Sequence, residues 1–112
     1  MTPIELMEIL APDKAYILET MDRDEIYLTL AEESVELAKA CLKMHRAMTE
    51  KSPTPISERQ AHAEVEEELG DVWLCCHILE LAPNDKEVAY KVNRWTRRLL
   101  EKQRNDIIEK GM

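Results

Sequence analysis

Apolar residues recur along this chain at intervals of three and four, the repeat of an α-helix. Thr2-Pro3 reads as an N-cap followed by a proline at the first helical position, opening a short helix to about Leu10. Ala11-Pro12-Asp13 is expected to break it, because an interior proline removes a hydrogen-bond donor and crowds the preceding turn. A second short helix then runs to about Met21. The spacing next predicts a long helix from near Asp24 to about Thr49, with Leu30, Leu37, Ala40, Cys41 and Met44 among its apolar positions. Two prolines make residues 51–56 (Lys-Ser-Pro-Thr-Pro-Ile) non-helical. Ser57 caps a third major helix from Glu58 to about Leu81. Pro83-Asn84-Asp85 ends that helix and caps the last one, Asp85 to about Lys110, with Gly111 at its end. The expected fold is all-α: an antiparallel bundle of about five helices, three of them long, in which the helices from Asp24 to Thr49 and from Glu58 to Leu81 form a helical hairpin.

Composition narrows the picture. A chain of 112 residues predicts a single domain covering residues 1–112. Phenylalanine is absent and aromatics make up 4%, so aliphatic side chains and methionine must fill a core that is modest at this length. The net charge of −8 argues against general affinity for nucleic acid or an anionic membrane, and a small anionic ligand then needs a metal or a local concentration of cations. No apolar run approaches the ~20 residues of a membrane span, and no basic-then-apolar leader opens the chain. Cys41, Cys75 and Cys76 cannot all pair within one chain; lying in apolar stretches, they are expected to be buried, reduced thiols of a cytoplasmic protein.

The chemistry resides in carboxylates. In Glu32-Glu33-Ser34-Val35-Glu36, Glu33 and Glu36 project within about 60° of each other at ~100° per residue. They share a face with Leu30, Leu37, Ala40 and Met44. The next helix repeats the arrangement: Glu68 and Asp71 share a face with Ala61, Val65, Val72, Cys75 and Leu79, and Glu64 falls near it. If the hairpin packs stripe to stripe, four carboxylates meet at one level, where they repel unless something cationic sits among them. Oxygen ligands alone suit Mg²⁺, or Mn²⁺, rather than zinc. Glu32, Glu64 and Glu67 read as solvent-facing or supporting residues.

Glu32-Glu33-x-x-Glu36, followed on the next helix by Glu68-x-x-Asp71 within Glu67-Glu68-Leu69-Gly70-Asp71-Val72, resembles the paired motif of the MazG-like all-α nucleoside triphosphate pyrophosphohydrolases. The resemblance covers roughly Leu28 to Leu81 and includes forms carried by phages. It implies that Glu33, Glu36, Glu68 and Asp71 bind Mg²⁺, with Glu33 or Glu36 orienting a water. It further implies cleavage between the α and β phosphates of a (deoxy)nucleoside triphosphate, releasing monophosphate and pyrophosphate, and assembly as a homodimer or homotetramer that completes the bundle. The stretch from Leu37 to Glu67, with Pro53 and Pro55, is longer than in compact members of the family. Phosphoribosyl-ATP pyrophosphohydrolase, which shares this pattern, is one alternative; a non-catalytic helical module that binds a partner helix is another.

Phosphates need cations besides the metal. The last helix offers Lys91, Arg94 and Arg98 as a basic row beside an apolar row of Val88, Val92, Trp95 and Leu99. The resemblance implies that a basic residue and an asparagine there contact phosphates, which points to Lys91 and Asn93. Lys43, two turns beyond Glu36, is expected to meet a phosphate or pair with a glutamate. Trp73 and Trp95 are candidate surfaces for stacking a base, with core packing as their competing role. His45, His62 and His77 lack metal-ligand spacing and read as structural or surface residues, and Cys75-Cys76 lacks the spacing of a zinc or redox motif.

Overall fold

The computed structural model describes residues 1–49 and 56–111. They form four α-helices: α1 (Pro3–Thr20), α2 (Arg23–Thr49), α3 (Glu58–Ile78) and α4 (Asp85–Gly111). The described residues contain no strand, and none of these helices is long and apolar enough to cross a membrane. The proline segment, up to Pro55, lies outside the described residues.

The two short helices expected before Met21 are a single helix. Thr2 and Glu5 close a reciprocal capping box at its start, the Thr2 hydroxyl accepting from the Glu5 N–H and the Glu5 carboxylate accepting from the Thr2 N–H. Pro12 then lies inside the helix without ending it. A proline forfeits one backbone hydrogen bond, here to the carbonyl of Glu8. Both Glu8 and Pro12 are exposed, so water can take up the freed carbonyl. Periodicity on the other side of α1, where Leu10, Lys14 and Ile17 are half-buried, carries the helix through.

The remaining boundaries follow the local chemistry. Ser57 caps α3 by accepting from the Gln60 N–H. Asn84 caps α4, its side-chain oxygen accepting from the N–H groups of Lys86 and Glu87. At the end of α3, Glu80 N–H bonds the His77 carbonyl and Leu81 N–H bonds the Cys76 carbonyl, the Schellman arrangement. Glu80 occupies its left-handed position at φ 58°, where glycine is usual. Its side chain reaches Lys14 of α1 at 3.2 Å.

The chain divides into two units, Met1–Leu81 and Ala82–Met112. In the first, α2 and α3 are the principal helix pair. Lys43 pairs with Glu64, while Glu33, earlier in α2, approaches Glu68 and Asp71, later in α3, so the two helices run antiparallel as the expected hairpin. Ala40 and Ala47 on α2 and Ala61 on α3 are buried, and small residues there let the two backbones approach closely. At the other end Ile26, Ile78 and Leu79 form a core with Ile17, Met21 and Leu30 packed against it. Cys75 is buried, Cys76 is half-buried, and Cys41 is exposed, contrary to the expectation for that thiol: it adjoins Ala40 on the stripe but has turned past its edge. The second unit is α4, which by itself leaves its row of Val88, Val92, Trp95 and Leu99 exposed.

Candidate metal centre

The hairpin brings together the acidic residues of α2 and α3. One carboxylate oxygen from each of Glu33, Glu68 and Asp71 lies within 4.8 Å of the others. Glu33 and Glu68 are half-buried and Asp71 is exposed, so the cluster opens to solvent on one side. The i,i+3 spacing aims Glu68 and Asp71 in one direction from α3, and antiparallel pairing sets Glu33 opposite them.

The electrostatics follow from that crowding. Glu33 is held above the ordinary carboxylate range, first because the facing helix removes water from it. The charge of Asp71, a hydrogen bond to Asp71, and the charges of Glu36 and Glu32 add to the shift. Glu68 is raised likewise, by loss of water and then by the charges of Asp71, Glu33, Glu36 and Glu67. Among the described residues, none of the three carboxylates takes part in an ion pair. Behind them burial and the Glu33 charge push the Cys75 thiol up, so it stays protonated and does not offer a thiolate. The donor set is therefore all oxygen.

Glu36, the fourth predicted ligand, stands just outside the cluster. Its carboxylate takes a 3.2 Å contact from Lys39 one turn along, and its charge still reaches Glu33 and Glu68. It lines a groove of about 350 Å³ that continues along the hairpin between Lys39, Lys43 and Arg46 of α2 and Glu64 and Glu68 of α3. Lys43 meets Glu64 of α3 at 3.0 Å. Lys39 and Arg46 were not singled out by the sequence. Their signal was there: positions 36, 39, 43 and 46 step by three and four residues and form one row.

Lys91, Asn93, Arg94 and Arg98 are exposed on α4 in the second unit, with Arg94 placed over the Tyr90 ring at 5.8 Å. Trp95 is also on α4, where it is exposed. Trp73 does not line the groove; it stacks on His77 with ring centroids 5.2 Å apart and planes within 1°. His62 pairs with Glu66 at 2.7 Å on the exposed side of α3, and His45 is exposed, in keeping with surface roles. Comparison of the chain with protein-family models, with curated proteins and with solved structures found no match.

Proposed function

We propose that this chain is a Mg²⁺-dependent pyrophosphohydrolase that cleaves a nucleoside triphosphate to the monophosphate and pyrophosphate, as its likeness to the MazG-like motif pair implies. One observation carries the reading: three carboxylates from two helices converge to within 4.8 Å with no cation among the described residues to balance them. Nothing in packing requires this. Partly desolvated like charges raise the free energy of the fold, and a divalent cation removes that penalty.

Glu33, Glu68 and Asp71 would hold the ion, with Glu36 adjacent. Three hard oxygen donors and no nitrogen or sulfur match Mg²⁺, and Mn²⁺ as its closest substitute. When bound, the ion supplies Lewis-acid stabilisation of phosphate charge and lowers the pKa of a coordinated water. The protein's own part is positional. Glu33 or Glu36 would orient the attacking water, Glu33 from within the cluster and Glu36 from beside it. No covalent nucleophile is needed: the water would attack the α-phosphorus directly, with pyrophosphate as the leaving group.

A homodimer or homotetramer is part of the proposal. Seven hydrophobic residues are buried among the described residues, while Val35, Leu42 and Leu69 on the hairpin remain exposed, apolar surface that a second copy of the chain would cover. The test is to incubate the protein with Mg²⁺ and each nucleoside triphosphate and measure the products. Pyrophosphate and monophosphate are expected from at least one substrate, and neither from the Asp71→Asn variant. Orthophosphate and diphosphate instead would place cleavage at a different bond. No product from any substrate would leave the partner-binding helical module as the better account.

A further inference from the structure

The groove beside the acidic cluster contains a row of cations that the metal does not explain. Lys39, Lys43 and Arg46 follow one another along a single side of α2, all from the helix that carries Glu33 and Glu36. At 1.5 Å rise per residue the row extends about 10 Å from Lys39 to Arg46. It begins one turn beyond Glu36, so it leads away from the carboxylate cluster in one direction. The groove has room for a chain of phosphates, at about 350 Å³, and is open along its length.

Its charge balance is informative. The walls present three cations, Lys39, Lys43 and Arg46, against three carboxylates, Glu36, Glu64 and Glu68. Lys39 is engaged with Glu36 and Lys43 with Glu64, both across exposed or half-exposed contacts that are weak and exchangeable. Arg46 takes no carboxylate among the described ion pairs. Once Glu68 is committed to a metal, the groove carries excess positive charge. A lysine–glutamate pair also keeps each ammonium extended over the groove, ready to exchange its carboxylate for a phosphate oxygen.

We propose that Lys39, Lys43 and Arg46 form the seat of the terminal phosphates, so that the triphosphate runs along α2 from the carboxylate cluster toward Arg46 and this row selects a triphosphate over shorter phosphates. This rests on the pyrophosphohydrolase reading for the nature of the substrate. The arrangement divides the work. The carboxylates would hold the metal, and the ammonium groups and the planar guanidinium would hold the departing pyrophosphate, the guanidinium being able to offer two parallel hydrogen bonds. A monophosphate reaches too little of the row to be held.

Binding of inorganic tripolyphosphate, pyrophosphate and orthophosphate by calorimetry in saturating Mg²⁺ tests the proposal without turnover, with Mg²⁺ alone titrated separately. The wild type is expected to bind tripolyphosphate most tightly and orthophosphate least. Arg46→Ala and Lys43→Gln should each weaken tripolyphosphate about tenfold or more, the loss of one charge-assisted contact, while binding Mg²⁺ alone as the wild type does and keeping its helical circular dichroism. Both residues lie on the helix surface, so neither substitution empties the core. Equal affinity of the wild type for all three phosphates overturns the proposal, as does undiminished tripolyphosphate binding in both variants. So does a loss confined to Lys91→Ala or Arg94→Ala, which would move the phosphates to α4. Failure of the pyrophosphohydrolase reading shows separately, as absence of product from every nucleotide.

Discussion

Replacing Gly70 with alanine should stabilise the protein, and the size of the effect follows from two features of the site. Gly70 lies inside α3 between Glu68 and Asp71, where glycine gives up more backbone entropy than alanine by about 1 kcal/mol. A Cβ built at this position meets no heavy atom within 4 Å, so no steric penalty offsets the gain. The full propensity difference should therefore appear as stability. For a unit of this size about 1 kcal/mol corresponds to a rise in Tm of roughly 4–8 °C. Thermal unfolding followed by circular dichroism at 222 nm in the metal-free protein reads this directly. Glu68 and Asp71 keep their positions on the other side of the turn, so Mg²⁺ affinity should not change. An unchanged or lowered Tm would refute the reasoning, because it would mean that something fills the space beside Gly70, and a second copy of the chain would be the first place to look.

Other consequences follow from the same geometry. Glu33 and Glu68 are raised in the folded state, so the native protein holds more protons than the unfolded chain above the ordinary glutamate value of 4.5; metal-free stability should accordingly fall as pH rises through their raised pKa values, and Mg²⁺ should abolish that fall. Tm measured against pH with EDTA and with Mg²⁺ checks this, and metal-free stability that rises over the same range contradicts it. At the end of α3, Glu80→Val puts a β-branched side chain at φ 58° and should lower stability by about 1–2 kcal/mol, whereas Glu80→Gln, which loses only the exposed contact to Lys14, should change it by less than about 1 kcal/mol. Urea denaturation of both variants separates backbone strain from the ion pair, and equal losses would assign the effect to the pair.

Local chemistry in the sequence was sufficient for most helix ends. Thr2, Ser57 and Asn84 cap as their side chains require, and the α3 stripe of Ala61, Cys75 and Leu79 is buried where the helical period places it. The error at Pro12 has a physical source. A proline forbids one hydrogen bond, but whether a helix ends there depends on whether water can reach the freed carbonyl, and that is a property of the folded surface. The convergence of Glu33, Glu68 and Asp71 was legible because i,i+3 pairs in an apolar stripe have one direction to point. The outward position of Glu36 was not, since it turns on the competing pull of Lys39. Lys39 and Arg46 were overlooked because a cation on an acidic helix ordinarily reads as solvated charge; only the groove between α2 and α3 distinguishes them. What the α4 row of Val88, Val92, Trp95 and Leu99 covers is likewise not written in its own periodicity, which specifies an apolar face but no partner.

The central claim is that the carboxylates of α2 and α3 form one divalent-cation site. Calorimetric titration of Mg²⁺ into the wild type and into Glu33→Gln and Asp71→Asn tests it most directly, since the two substitutions lie on different helices and alter one oxygen each. The account predicts saturable Mg²⁺ binding by the wild type and its loss in both variants, with helical content retained. Mg²⁺ binding that survives both substitutions, or none in the wild type, contradicts it.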